Sequence, residues 1–379
     1  MCGCVAQDEM NAEMDHGRIV AWLRETDAGR LESLRTAADA VRRTHCGDEI
    51  FLRGLLEISN TCMRNCLYCG LRVANRSLRR YRMTDDEIFD GARKAARFGY
   101  GTVVLQAGED PVFDMERVAV LVERIRCGIP TSTGDPLAVT LSLGERTERE
   151  LARWREAGAD RYLLRFETSN RTLYEAIHPP LRVGEPFDRF EMLRVLRRFG
   201  YEVGSGVMVG IPGQSYDDLA RDIELFRELE LDMIGVGPFL ASPGTPLGDT
   251  TQYGGAVSWD GIPSPDPVDQ VPATAEMTCR VLSLTRLVRP DANIPATTAL
   301  ATMDATTGRT NGFVAGANIV MPNLTPTEYR ELYAIYPGKA SVHETAEAVN
   351  AAIAAQVAAA GRTIGRGPGT SPHYRRCRN

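Results

Sequence analysis

From Leu55 to Met321 the chain repeats one unit, a short apolar strand-like run followed by an amphipathic helical pattern, and this alternation restricts the fold more than any other feature. Strand-like runs fall at Leu55–Ile58, Thr102–Gln106, Leu137–Leu143, Arg161–Phe166, Glu202–Val209, Met233–Pro238, Asn293–Thr297 and Ala317–Met321. Helical periodicity separates most of them, and Thr84-Asp-Asp-Glu87 and Thr147-Glu-Arg-Glu150 read as capping boxes that open two of the helices. Strands that alternate with helices form parallel crossover units, and eight such units close on themselves. The expected fold is therefore α/β, a complete (β/α)8 barrel of the triosephosphate isomerase type over residues 49–340. Residues 1–48 are expected to add an N-terminal helical cap, and 341–379 a short helical extension with a disordered tail. In such a barrel the chemistry sits where the strands end.

The first strand runs into Ser59-Asn-Thr-Cys-Met-Arg-Asn-Cys-Leu-Tyr-Cys-Gly70, where Cys62, Cys66 and Cys69 form a Cys-x3-Cys-x2-Cys array. Three thiolates on one short loop can hold three irons of a 4Fe-4S cluster and leave the fourth iron open. Zinc sites use four ligands in paired sets, and no second pair follows; a zinc knot or three unrelated buried cysteines are the bland alternatives. The array resembles the signature of the radical S-adenosylmethionine (SAM) superfamily, with Tyr68 at its aromatic position. Nine cysteines, an odd number, fit a reducing compartment and metal ligation better than a disulfide framework. Cys2 and Cys4 read as part of a frayed terminus, with an extra metal pair as the alternative. A net charge of -6 argues against a general polyanion binder, and no apolar run is long enough to span a bilayer, so no nucleic acid, no membrane and a cytoplasmic location are expected.

Polar residues cluster at the strand ends. Gln106-Ala-Gly-Glu-Asp110 follows the second strand, with Gly108 and Glu109 placed where a backbone could approach a cofactor. Strand alternation puts Thr140 and Ser142 on one face of the third strand, and Arg165 and Glu167 together on one face at the end of the fourth. Arg189, at the start of the next helix, could grip a carboxylate with two hydrogen bonds. Gly204-Ser-Gly206 and Gly210-Ile-Pro-Gly213 fall short of a dinucleotide fingerprint and read as close backbone approach to an adenine. Ser242–Pro272, rich in Pro, Gly, Asp and Thr, reads as a flexible excursion or a lid.

Several stretches together resemble the HydE family of [FeFe]-hydrogenase maturases. They are the cysteine loop, Arg79-Arg-Tyr-Arg-Met83, Val104-Leu-Gln-Ala-Gly-Glu-Asp-Pro111, Val139-Thr-Leu-Ser-Leu-Gly-Glu145, Ala157-Gly-Ala-Asp-Arg-Tyr-Leu-Leu-Arg165, Asn293-Ile-Pro-Ala-Thr-Thr298, Gly316-Ala-Asn-Ile-Val-Met-Pro-Asn323 and Tyr329-Arg-Glu-Leu-Tyr-Ala-Ile-Tyr-Pro-Gly338. The resemblance implies one 4Fe-4S cluster on Cys62, Cys66 and Cys69, and SAM bound near Tyr68, Gly108, Glu109, Ser142, Glu167 and Arg189. It implies a substrate cavity lined by Thr140, Arg165, Thr297, Thr298, Met321, Tyr333 and Tyr336. The implied activity is reductive cleavage of SAM to a 5'-deoxyadenosyl radical that acts on an organometallic iron-cysteine precursor of the H-cluster. The maturases HydG and HydF, and reduced ferredoxin or flavodoxin, are the implied partners. Some relatives carry three further cysteines for an accessory cluster; Ser341, Val349 and Ala352 stand there in this chain, so a second cluster is not expected. Two other readings stand beside this one: a methylornithine synthase-like radical SAM mutase and, more remotely, a non-catalytic iron-sulfur electron carrier.

Overall fold

The computed structural model describes residues 14–180, 188–248, 266 and 268–378. Helices α1 (His16–Arg24) and α2 (Ala28–Cys46) lead into β1 (Glu49–Ser59), after which strands and helices alternate. The order continues α3 (Asp85–Arg97), β2 (Thr102–Ala107), α4 (Met115–Gly128), β3 (Ala138–Ser142), α5 (Glu148–Glu156), β4 (Arg161–Leu163), α6 (Arg171–Ile177), α7 (Arg189–Arg198), β5 (Glu202–Val209), α8 (Tyr216–Glu228) and β6 (Met233–Pro238). It ends with α9 (Ala275–Val288), α10 (Thr298–Met303), α11 (Gly308–Val314), β7 (Ile319–Val320), α12 (Thr327–Arg330), α13 (Ala346–Ala359), β8 (Thr363–Ile364) and α14 (Pro372–Arg378). Thr84, Thr147 and Ser215 each close a capping box, satisfying N–H groups that the first helical turn leaves free.

The strands lie parallel in the order β6-β5-β4-β3-β2-β1-β7, with β8 paired to β1 beside that path. The complete eight-strand barrel expected from the alternation is not reached. Residues 293–297, counted from sequence as the seventh strand, make only single bridges, Met233 to Asn293 and Pro295 to Ile319. Pro295 has no N–H to give to a ladder, which keeps the segment irregular. The eighth run shrinks to the two residues of β7. β4 also stops early, at Leu163, so Arg165 and Glu167 lie beyond the regular strand from which their shared face was read.

The expected terminal arrangement changes as well. Helices α1 and α2 lie along α8 and α9 on the flank, where Arg280 of α9 donates to the Leu23 and Glu25 carbonyls at 2.7 Å each. The segment expected as a disordered tail instead folds under the N-terminal ends of the strands. Pro368 O accepts from Arg161 (3.0 Å) and Thr102 (2.9 Å), and Gly369 O accepts from Arg53 (3.0 Å) and Asn293 (2.8 Å). Ser371 N donates to Glu202 at 3.0 Å, and His373 Nδ1 lies 2.7 Å from Asp232. Its Gly and Pro residues suit this role, because they bring backbone carbonyls to the buried side chains of Arg53, Arg161 and Asn293. Cys2, Cys4 and most of 242–272 lie outside the described residues.

Candidate active site

The cysteine loop leaves the end of β1 with no regular structure of its own, so its shape comes from its neighbours. Asn60 donates to the carbonyls of Arg79 (2.9 Å) and Leu332 (2.7 Å) and accepts from Tyr81 N (2.7 Å). Arg80 reaches four carbonyls, those of Asn60, Leu71, Arg72 and Asn75, at 2.6 to 3.2 Å. Leu67 N donates to Ile177 O (2.9 Å), Gly70 N to Ile335 O (3.3 Å), and Ser242 N to Tyr68 O (2.9 Å). The loop after β2 comes so close that a Cβ on Gly108 would meet Thr61 O at 2.4 Å. Gly108 is therefore needed to seat that turn on the cysteine loop.

The three thiols are half-buried. Burial pushes each of them up, Cys69 to about 12; Cys69 adds to the rise at Cys66, and Cys62 adds to the rise at Cys69. Thiols in that position ionise only with a cation beside them, which is the service iron performs. Among the described residues no three His, Cys, Asp or Glu side chains converge on one ion, as a zinc site would require. A cluster needs no such convergence, since each thiolate takes its own iron.

Around the loop runs a shell of charge that sequence reasoning did not assemble. Arg64, inside the loop, bonds Glu109 at 2.6 Å and also reaches Glu145. Arg189, at the start of α7, bonds Glu145 at 2.8 Å and the Arg165 carbonyl at 2.7 Å, and lies over the Tyr174 ring. Glu109 accepts from Glu145 N at 3.0 Å, so its carboxylate is held within this shell. Tyr68 lies 2.9 Å from His178 Nε2, and His178 Nδ1 lies 3.0 Å from Tyr174 O. A carbonyl can only accept, so Nδ1 carries the proton and Nε2 accepts from the Tyr68 hydroxyl. Burial, with Arg189 nearby, holds His178 well below its ordinary value and keeps it neutral.

Below the loop lies a cavity of about 320 Å³, walled by the strand ends. Tyr68, Ser142, Glu167 and Arg189 line it, as do Arg165, Thr297, Thr298, Met321, Tyr333 and Tyr336. Thr140 is fully buried on β3, with no bonding partner for its hydroxyl. Glu167 adopts a left-handed φ of 68°, an uncommon conformation for a side-chain-bearing residue and one often found at functional sites. Its Oε2 lies 3.1 Å from Arg165 Nη2 without forming a well-directed hydrogen bond, and Arg165 Nε is likewise unpaired. These buried polar atoms fit a polar ligand such as SAM. Gly206 is required by the sheet itself, since a Cβ there would strike Gly235 O at 1.9 Å across the β5–β6 pair.

The cavity wall also holds an ion pair that sequence reasoning missed. Lys339 Nζ lies 2.6 and 2.7 Å from the two oxygens of Glu57, and Asn323 Nδ2 donates to the same carboxylate at 3.0 Å. The signals were present: Glu57 interrupts the apolar run of β1, and Lys339 follows the Tyr-Pro-Gly turn. Gln106 donates to the Tyr333 hydroxyl at 3.1 Å, which leaves the Tyr333 proton free for a cavity ligand.

The description of the radical SAM superfamily matches residues 56–226. The [FeFe] hydrogenase maturase subunit HydE of Thermotoga maritima is 41% identical over 90% of this chain and 89% of its own length. The 3-methylornithine synthase of Methanosarcina barkeri is 30% identical over 81% and 78%. Among solved structures, methylornithine synthase superposes with a TM-score of 0.72 at 24% identity, covering 95% of this chain and 97% of that one. A crystal structure of the maturase HydG gives 0.66 at 18% identity over 84% and 66%. At these identities the two structures speak for the fold alone. The cysteine loop at the end of β1, the cavity beneath it and the near full-length match together mean that the chain belongs to the HydE family of [FeFe]-hydrogenase maturases, radical SAM enzymes that use a 4Fe-4S cluster and S-adenosylmethionine.

Proposed function

We propose that the chain performs the HydE step of H-cluster assembly on an organometallic iron-cysteine species carrying carbon monoxide and cyanide. In this reading HydG supplies that species, HydF receives the product, reduced ferredoxin or flavodoxin supplies electrons, and the setting is the cytoplasm. The observation that carries it is the pair of unpaired buried polar atoms, Arg165 Nε and Glu167 Oε2, on residues that line the cavity beneath the half-buried thiol triplet. When bound, the reduced cluster and SAM supply methionine and a 5'-deoxyadenosyl radical.

The chain's own residues bind, orient and shield. Cys62, Cys66 and Cys69 hold iron, and Arg189 takes the methionyl carboxylate by charge-assisted hydrogen bonds while Glu145 fixes its direction. Glu167 and Ser142 take the ribose and amino groups. Tyr68, backed by His178, and the turn at Gly108 and Glu109 close the cofactor side. Arg165, Thr140, Thr297, Thr298, Met321, Tyr333 and Tyr336 shape the substrate side, where exclusion of water protects a reactive radical.

The test is complementation of a HydE-deletion strain, scored by hydrogenase activity. The parent chain should restore it. A Tyr333→Phe variant, and likewise Met321→Ala, should keep the cluster and cleave SAM with a strong reductant yet lose most maturation. A folded parent that cleaves SAM but matures nothing would sink the proposal, and methylornithine formed from lysine would replace it with the mutase reading that the Methanosarcina relative favours.

A further inference from the structure

We propose that the arginine-rich lobe built on the cysteine loop, residues 58–84, is the docking surface for a small acidic one-electron carrier protein. The inference rests on the radical SAM reading, since it is that reaction which consumes an electron. Between Glu57 and Asp85 the chain has no acidic residue and six arginines, in a protein whose net charge is -6. Arg64 and Arg82 are neutralised, by Glu109 with Glu145 and by Asp110. The other four are not. Arg72 bonds only the Asn65 amide oxygen, Arg80 bonds only carbonyls, and exposed Arg76 and Arg79 have no carboxylate partner among the described residues.

The same lobe exposes two apolar side chains, Met63 at 45% and Val73 at 40%. Val73 N is tied to Arg64 O at 2.8 Å, so the patch is continuous with the cluster loop. Exposed apolar side chains fringed by uncompensated charge match the anatomy of a small, weak, electrostatically steered electron-transfer interface. Its position decides the partner. Tyr68 of the cysteine loop lines the cavity while Met63 of the same loop is exposed, so a protein seated on this lobe contacts the cluster loop itself, and a surface that complements its arginines is acidic. In each encounter the carrier loses one electron and the cluster gains one; no bond is made or broken and no proton moves.

The experiment measures 5'-deoxyadenosine formation by the reconstituted full chain, driven either by dithionite or by a reduced acidic ferredoxin. The Arg76→Glu/Arg79→Glu variant should keep its dithionite rate within about twofold and lose at least about tenfold of its ferredoxin-driven rate at low salt. The Arg76→Gln/Arg79→Gln variant should fall between. Added salt should slow the parent with ferredoxin and leave the charge-reversed variant nearly unchanged. Equal ferredoxin-driven rates in parent and variants would overturn the proposal. So would equal losses with both reductants in both variants, because the arginines would then be supporting the cluster. A parent that cannot cleave SAM with dithionite would instead defeat the radical SAM reading, which separates the two failures.

Discussion

Replacing Lys339 by Met removes one charge from the buried pair while roughly keeping the length of the side chain, and the outcome follows from what Glu57 is left with. The Lys339 and Glu57 side chains are 6% and 2% exposed, and the ammonium covers both carboxylate oxygens. Burial raises Glu57 and lowers Lys339 even with each partner present, so attraction does not fully offset desolvation. Without Lys339 only Asn323 remains on the carboxylate. An orphaned buried charge of this kind costs about 3–5 kcal/mol. At about 1.3 °C per kcal/mol for a chain this long, the melting temperature should drop about 4–6 °C at pH 8. The sign with pH is defined. A carboxyl whose folded pKa is raised imposes no penalty below its unfolded value of about 4.3, and a growing one as pH rises toward the folded value. The deficit should therefore shrink on acidification. Adding Glu57→Gln should recover most of it, since the neutral amide still bonds Asn323. Anaerobic melting of the single and double variants at pH 5.5 and 8 is the assay. A single variant within 2 °C of the parent at pH 8, or a double variant no more stable than the single, would refute the reasoning.

Iron analysis after anaerobic reconstitution should give about four irons per chain, as one cluster requires, and Ala at Cys62, Cys66 or Cys69 should remove both the iron and SAM cleavage; about eight irons would reveal a second site. Arg189→Ala should weaken SAM binding about ten- to a hundredfold with iron content unchanged, read by titration calorimetry, and unaltered affinity would take Arg189 out of the cofactor site. Ending the chain after Gly365 strips partners from Arg53, Arg161, Glu202, Asp232 and Asn293, so soluble yield should collapse. A truncated protein that melts like the parent would show that the terminal segment is not a structural plug.

Features carried by contiguous residues were legible in the chain. The cysteine spacing, the strand-helix alternation and the capping boxes at Thr84 and Thr147 each depend on neighbours a few positions apart, and backbone geometry translates such spacing directly into structure. Strand-end reasoning also brought Tyr68, Ser142, Arg165, Glu167 and Arg189 to one cavity, because parallel strands deliver their C-terminal ends to a single mouth. It could not supply the partners. Lys339 stands 282 positions from Glu57, Glu145 stands 81 from Arg64, and Pro368 stands 207 from Arg161. No periodicity encodes those separations; only the curvature of the sheet brings them within bonding distance. The same holds for the terminal segment, whose Gly-rich composition resembles a tail until buried arginines beneath the strands require its carbonyls. Local pattern decided the alternation of strands and helices, whereas the lengths of β4 and β7 and the pairing of buried charge were decided by tertiary structure, because a desolvated charge is stabilised by whichever group the fold places against it.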